Sequence, residues 1–162
     1  MTAVAKNAAP LVVRKSIRVD VARDHAFAVF TERFAAWWPL ESHHIGASPA
    51  QTVILEPRVG GRWFERSGDG AECDWGRVLV WAPPERIVLS WDIGADWKYD
   101  ATLGTEVELR FIVEGPGTTR VELEHRGLER YGAQAGTMQA AFDSEKGWGS
   151  LLAAYAEAAA RD

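Results

Sequence analysis

Between Glu106 and His125 the sequence alternates in side-chain character on either side of one tight turn, and this pattern restricts the fold more than any other feature. Glu106, Glu108, Arg110 and Ile112 fall on one side of the first run, and Val107, Leu109, Phe111 and Val113 on the other. After the turn Glu114-Gly115-Pro116-Gly117, the returning run sets Arg120, Glu122 and Glu124 against Val121, Leu123 and His125. A period of two belongs to a strand. A dry face opposite a face charged with both signs marks an antiparallel hairpin wetted on one side. Nothing here suggests crossover helices between strands, which argues against a parallel sheet.

The rest of the chain extends the same sheet. Residues 11–20 alternate Val13, Lys15, Ile17 and Val19 with Arg14, Ser16 and Arg18, as a strand does. Asp20 and Asp24 are candidate N-caps for a helix carrying Phe27 and Phe30, with Phe34 on the next turn. That helix must stop near Trp37-Trp38-Pro39, since proline disfavours helical geometry in the residue before it. Residues 40–50 have no period, and so long a connection is functional or mobile. Further strands are expected over 52–56, 61–67, 72–81 and 86–93, separated by Pro57–Gly60, Ser67-Gly68-Asp69-Gly70 and Ala82-Pro83-Pro84-Glu85. Residues 94–103 form a polar loop holding Trp97 and Tyr99. The chain closes on a helix, because Trp148, Leu151, Leu152, Tyr155 and Ala159 make one stripe. Met138 and Phe142 extend the stripe backwards unless Gly147 and Gly149 break it, in which case Asp143 or Ser144 caps a shorter helix.

An amphipathic helix needs an apolar surface, and here only the dry face of the sheet can supply one. The expected class is α+β: a curved antiparallel sheet of about seven strands wrapped around a long C-terminal helix, with short helices after the first strand. At 162 residues the chain is one domain, read as a flexible tail over 1–10 and a single unit over 11–162. Lys and Arg total 18 against 23 Asp and Glu, a net charge of −5 without a basic block, which argues against nucleic acid or an anionic lipid surface as partner. Cys73 is the sole cysteine, so no intrachain disulfide forms and a reducing, cytoplasmic setting is expected. Neither a signal peptide nor a membrane span is evident.

Tryptophan is the unusual component: Trp37, Trp38, Trp63, Trp75, Trp81, Trp91, Trp97 and Trp148 fall in nearly every element. Such rings ordinarily fill a core. A strongly twisted sheet touches a straight helix unevenly, however, and leaves room for an aromatic-lined cavity. The inward set is Trp63, Ile87, Leu89, Trp91, Leu109, Phe111, Leu123 and His125, facing Trp148, Leu152 and Tyr155, with Trp75 joining the lining. A one-residue slip near Trp63 or Trp91 would exchange the faces. Trp38, His43, His44, Trp97 and Tyr99 are the candidates for the mouth, where the 40–50 loop can act as a lid.

Specific segments carry a family resemblance. Val80-Trp81-Ala82-Pro83-Pro84-Glu85-Arg86-Ile87-Val88-Leu89-Ser90-Trp91 resembles the strand-turn-strand signature of the SRPBCC superfamily, which is START-like and shares the birch-pollen-allergen helix-grip fold. Gly60-Gly61-Arg62-Trp63-Phe64-Glu65, His125-Arg126-Gly127-Leu128 and Gly147-Trp148-Gly149-Ser150-Leu151-Leu152 resemble the branch of homologues of the heat-shock-protein ATPase activator C-terminal domain. The likeness runs from about Val13 to Ala158. It implies a sheet gripping the last helix around a hydrophobic cavity. The expected function is binding of a small hydrophobic or planar aromatic molecule, without catalysis, metal or cofactor. One alternative is an enzyme of the polyketide cyclase/dehydratase type using a pocket histidine and an acid. Another is an interaction module whose partner is a chaperone ATPase or a second copy of the chain.

The polar candidates are few. His43 and His44, flanked by Glu41 and Ser42, sit on an extended loop where adjacent side chains diverge and do not converge on one ion. His125 falls on the dry face of its strand, where a satisfied core or pocket histidine is the ordinary outcome, and the enzyme alternative would pair it with Tyr99, Asp92 or Asp74. Glu72, Asp74 and Arg77 on the Trp75 strand are expected on a solvated face. No nucleophile elbow or phosphate-binding glycine loop is present, and Gly68-Asp69-Gly70 reads as a turn.

Overall fold

The computed structural model describes residues 11–161, so the tail expected over 1–10 lies outside the described residues. Seven strands form one antiparallel sheet: β1 (Val13–Val19), β2 (Ala50–Leu55), β3 (Arg62–Ser67), β4 (Glu72–Ala82), β5 (Arg86–Trp91), β6 (Thr105–Gly115) and β7 (Thr118–Arg126). Their order in space is β1-β7-β6-β5-β4-β3-β2, so the first two strands of the chain become its two edges. Between them run α1 (Arg23–Thr31) and α2 (Phe34–Trp37). After β7 come a 3-10 segment (Leu128–Gln134), α3 (Ala135–Asp143) and α4 (Trp148–Arg161). This is the helix-grip arrangement, a curled half-barrel sheet holding a C-terminal helix.

Pairing in the centre follows the alternation. Leu109 faces Ile87 on one side and Leu123 on the other, and Val107 faces Leu89 and His125. All of these are buried, which settles the parity of β5 with Trp91 inward. On the wet face Glu108 accepts from Arg86 at 2.5 Å, Arg110 at 2.8 Å and Arg126 at 2.5 Å. Burial works to raise this carboxyl, but the hydrogen bonds from Arg126, Arg86 and Arg110 outweigh it and hold the group down at about 2.

Two capping expectations are corrected, and one open choice is settled. Neither Asp20 nor Asp24 caps α1; its N-cap is Ala22, and Asp24 Oδ1 instead accepts from the His25 N–H at 2.9 Å. Of the two readings of the C-terminal stripe the broken one holds, for Met138 and Phe142 belong to α3, and α4 begins afresh at Trp148. Ser144 ends α3 rather than starting α4. Gly147 makes the junction: a Cβ there would lie 2.1 Å from Phe142 O, so only glycine lets the two helices approach this closely. In β4 the register slips at Trp75, since Trp63 pairs with Gly76 and Phe64 with Asp74. This bulge leaves Trp75 buried while Arg77 donates to Asp74 at 3.1 Å on the outer side.

Candidate functional site

The space between sheet and α4 has two ends. At one end α1 packs in. Phe30 meets Tyr155 at 5.3 Å and Phe111 at 6.0 Å, Phe27 meets Phe111 at 5.1 Å, and Tyr155 Oη donates to Ala26 O at 2.7 Å. Ile87, Leu89, Leu109, Phe111, Leu123, Leu152 and Tyr155 are buried in the core and do not line the cavity at the other end. Trp63 also lies outside the lining, its indole N–H donating to Ser90 O at 2.8 Å and its ring 5.3 Å from Trp75.

At the other end lies a cavity of about 320 Å³. Trp75 and Trp91 from the sheet, Trp148 and Leu151 from α4, Phe142 from α3, and Trp38 at the end of α2 form its walls. The rim consists of Ser42, His43, His44 and Ile45 from the 39–48 loop, Ser144 and Lys146 from the α3–α4 turn, and Trp97 from the β5–β6 loop. Thus the cavity takes Trp75, Trp91 and Trp148 from the expected lining, and Trp38, His43, His44 and Trp97 from the expected mouth. Tyr99 lies outside it, in a shallow polar concavity with Arg62, Cys73, Asp74 and Lys98 on the far side of Ile45 and Trp97.

The aromatic walls support one another in tilted and edge-to-face contacts. Trp38 lies 5.0 Å from Trp75, Trp91 5.5 Å from Trp148, and Trp91 5.4 Å from Phe142. Trp97 is 47% exposed and has a φ of +61°, the sole non-glycine residue in the left-handed region among the described residues. A bulky side chain in that region carries strain, here in a ring held 6.3 Å from Phe142 at the cavity rim.

His125 is fully buried beneath the cavity. Its Nδ1 accepts from Trp148 Nε1 at 3.1 Å, because an indole N–H can only donate. Its Nε2 therefore carries the proton and donates to Thr105 Oγ1 at 3.1 Å, and that hydroxyl donates to Trp91 O at 2.6 Å. Burial holds the imidazole down to about 3, so it stays neutral in ordinary buffers. Neither candidate acid bonds to it: Asp92 accepts from Ser90 Oγ and Gly104 N, and Asp74 from Arg62 and Arg77. The pairing with Tyr99, Asp92 or Asp74 required by the enzyme alternative is not formed.

His43 and His44 diverge as expected of neighbours on a loop. His43 Nε2 donates to Lys146 O at 2.8 Å, which leaves Nδ1 to accept from Ser42 Oγ at 2.7 Å. His44 Nδ1 bonds instead to Gly46 O at 3.2 Å. Among the described residues no group of three or more His, Cys, Asp or Glu side chains is placed to hold a metal ion, and no helix is long and apolar enough to cross a membrane.

Glu65 is a site-forming residue that the sequence pattern does not disclose. It is 1% exposed, and its carboxylate accepts from Ile45 N at 2.6 Å, Gly46 N at 3.0 Å and Trp75 Nε1 at 2.9 Å. Only its place two residues after the inward Trp63, on the same face of β3, hints that it is not a surface charge.

A curled sheet gripping a terminal helix over a rimmed aromatic cavity defines a helix-grip protein of the SRPBCC type. Residues 20–159 match the model of the family described as Activator of Hsp90 ATPase homolog 1-like protein, and the chain belongs to that family. Among solved structures it is similar to the anthrahydroquino-gamma-pyrone synthase Txn09, at 40% identity over 91% of this chain and 96% of that one, with a TM-score of 0.64. It is also similar to the self-sacrificing resistance protein CalC from Micromonospora echinospora, at 27% identity over 91% and 93% of the two chains, with a TM-score of 0.68. The protein NE0264 from Nitrosomonas europaea shares the fold at 12% identity, over 93% and 95%, with a TM-score of 0.63. No curated protein matches the sequence.

Proposed function

We propose that the protein binds a planar, polycyclic aromatic molecule of the polyketide class in the cavity between the sheet, α3 and α4. The observation that carries this is the lining, where Trp38, Trp75, Trp91, Trp97, Phe142 and Trp148 surround about 320 Å³. That volume lies within the range of about 300–1,000 Å³ usual for small-ligand sites. Flat rings bind by apolar burial, worth about 25 cal/mol per Å², and by offset or edge contacts with other rings. The polar groups stand at the rim (Ser42, His43, His44, Ser144 and Lys146), so the apolar body enters first and its oxygens stay near water. The relative at 40% identity is named for an anthrahydroquino-gamma-pyrone, a planar fused-ring product. Calorimetric titration with 1,8-dihydroxyanthraquinone tests the reading. Saturable 1:1 binding that is lost when the rim and walls are altered supports it, and no heat across a series of flat and non-flat hydrophobes overturns it.

A second reading, ring closure on such a molecule, is favoured by the Ser42–His43–Lys146 arrangement at the rim. There the hydroxyl donates to an imidazole whose other nitrogen is fixed by a carbonyl. His43, rather than His125, is the base that a bound molecule can reach. The assay is a hydroxyanthraquinone bearing an ortho 1,3-diketone: closure to a fused pyrone releases one water and lowers the mass accordingly. Turnover that His43→Ala abolishes supports catalysis, and binding without turnover overturns it and leaves ligand binding as the function.

A chaperone-assisting module needs a contiguous apolar face outside the cavity. The exposed large apolar side chains among the described residues are Val59, Leu79, Trp97, Tyr99 and Val113, and Trp97 already belongs to the cavity rim. Measuring a purified chaperone ATPase with and without the protein addresses this role, and a flat response argues against it.

A further inference from the structure

The 39–48 loop crosses the cavity rim, where it is fastened at two places of unequal character; beyond the rim, Ser48 Oγ also donates to Asp69 Oδ2 at 3.4 Å. Toward its C-terminal end, Ile45 N and Gly46 N both donate to the Glu65 carboxylate, and the same carboxylate accepts from Trp75 Nε1. Glu65 is buried, and hydrogen bonds to a charged acceptor are stronger than neutral ones. Toward its N-terminal end, His43 Nε2 donates a single bond to Lys146 O, where Lys146 is exposed, while Trp38 Nε1 donates to His43 O at 2.8 Å. Single neutral bonds open to water contribute little net stability.

We infer that Glu65 is the positioning residue of the cavity, pinning the loop and the Trp75 ring together as a fixed hinge, while the His43–Lys146 bond is the releasable end through which the rim opens. Glu65 does not line the cavity; it acts through Ile45 and Trp75, which do. Both carboxylate oxygens are used, Oε1 by Ile45 N and Trp75 Nε1 and Oε2 by Gly46 N. An amide cannot replace it, since turning its oxygen to either place sets the NH₂ against at least one N–H. Gly46 supplies independent support: a Cβ there would lie 3.0 Å from Glu65 Oε2 and 3.3 Å from Cys73 Sγ, so the lack of a side chain lets the backbone reach the carboxylate. The inference rests on the cavity being a ligand site only for its purpose. The mechanics can be tested without any ligand.

Amide hydrogen exchange on the ligand-free, full-length protein is that test. In the unaltered protein the Ile45 and Gly46 amides should be protected well beyond their neighbour Ala47. Glu65→Gln should speed exchange at Gly46 or Ile45 by about tenfold or more, with Leu109 and Val121 in the central strands unchanged. Gly46→Ala, which is not buried, should act in the same direction and covers the outcome in which Glu65→Gln fails to fold. His43→Ala should speed exchange at residues 42–44 while Ile45 and Gly46 stay protected. Unprotected Ile45 and Gly46 amides in the unaltered protein, or exchange that rises uniformly through the sheet, would overturn the hinge. Stopped-flow mixing with 1,8-dihydroxyanthraquinone adds the functional arm: His43→Ala should raise the association rate several-fold, a change that loss of a rim contact does not by itself produce. Equal association rates in the two proteins, with binding intact, overturn the latch; absence of binding in both bears on the ligand reading and leaves the exchange result standing.

Discussion

The two ends of the space beneath α4 are built from the same kinds of residue and differ in outcome. Where α1 covers the sheet, Phe27, Phe30, Phe111 and Tyr155 interlock and exclude any guest. Where the cover is the 39–48 loop and the α3–α4 turn, Trp38, Trp75, Trp91 and Trp148 touch at their edges and leave a cavity of about 320 Å³. Aromatic content therefore does not decide whether a core is solid. The decisive factor is whether a regular element supplies side chains along its whole length, as a helix does, or whether a loop bridges the gap with its backbone tied at a few points.

The comparison can be broken most severely at the filled end. Phe111→Ala removes a buried ring among tightly packed neighbours and should cost about 3–5 kcal/mol in urea unfolding. A loss below about 1 kcal/mol would mean that this end is as loose as the other. Acid provides the next test, because the open end holds His125. The unfolded chain takes a proton on this imidazole near 6.5, whereas the folded protein does so only near 3. Between those values the unfolded state holds the extra proton, so stability present above pH 6.5 is lost as the pH falls. The slope is at most about 1.4 kcal/mol per pH unit, or about 2 kcal/mol between pH 6.5 and 5. Below pH 4.5 the Glu108 carboxylate adds loss of the same sign until about 2. Denaturation across this range should show the decline, and His125→Gln should flatten it above pH 4.5.

Two smaller changes sharpen the contrast. Ala141→Phe fills space at the open end, so stability should move by less than about 1 kcal/mol while affinity for 1,8-dihydroxyanthraquinone falls at least about tenfold. Retained affinity would place the probe elsewhere. At Trp97 the left-handed backbone favours glycine, so Trp97→Gly should be more stable than Trp97→Ala by about 1 kcal/mol, while both weaken probe binding. Equal stabilities would show that the loop relaxes when the ring is gone.

Much of the fold is legible in the chain because alternation reports which face a residue occupies. The β6–β7 register, the inward placement of Leu109, Phe111, Leu123 and His125, and the amphipathic α4 all follow from it. Alternation says nothing of position along the groove between sheet and helix, which is why Ile87, Leu109 and Tyr155 on one hand and Trp91 and Trp148 on the other look equivalent in sequence. It also fails at irregularities. The bulge at Trp75 moves Arg77 to the face of Asp74, and the break at Gly147 turns a single stripe into two helices and creates half of the rim. Glu65 is concealed for a different reason: two of its three partners are backbone N–H groups about 20 positions away, which carry no side-chain signature.

The chain of neighbouring indoles has an optical consequence. Neighbouring rings from Trp63 through Trp75 and Trp38 to Trp148 and Trp91 stand between 5.0 and 6.4 Å apart, close enough for absorbed light to migrate among them before emission. Trp97, the indole most open to water at the rim, should emit farthest to the red. A coloured guest seated among them would darken the whole array at once, so the molecule contains its own dye-free gauge of occupancy.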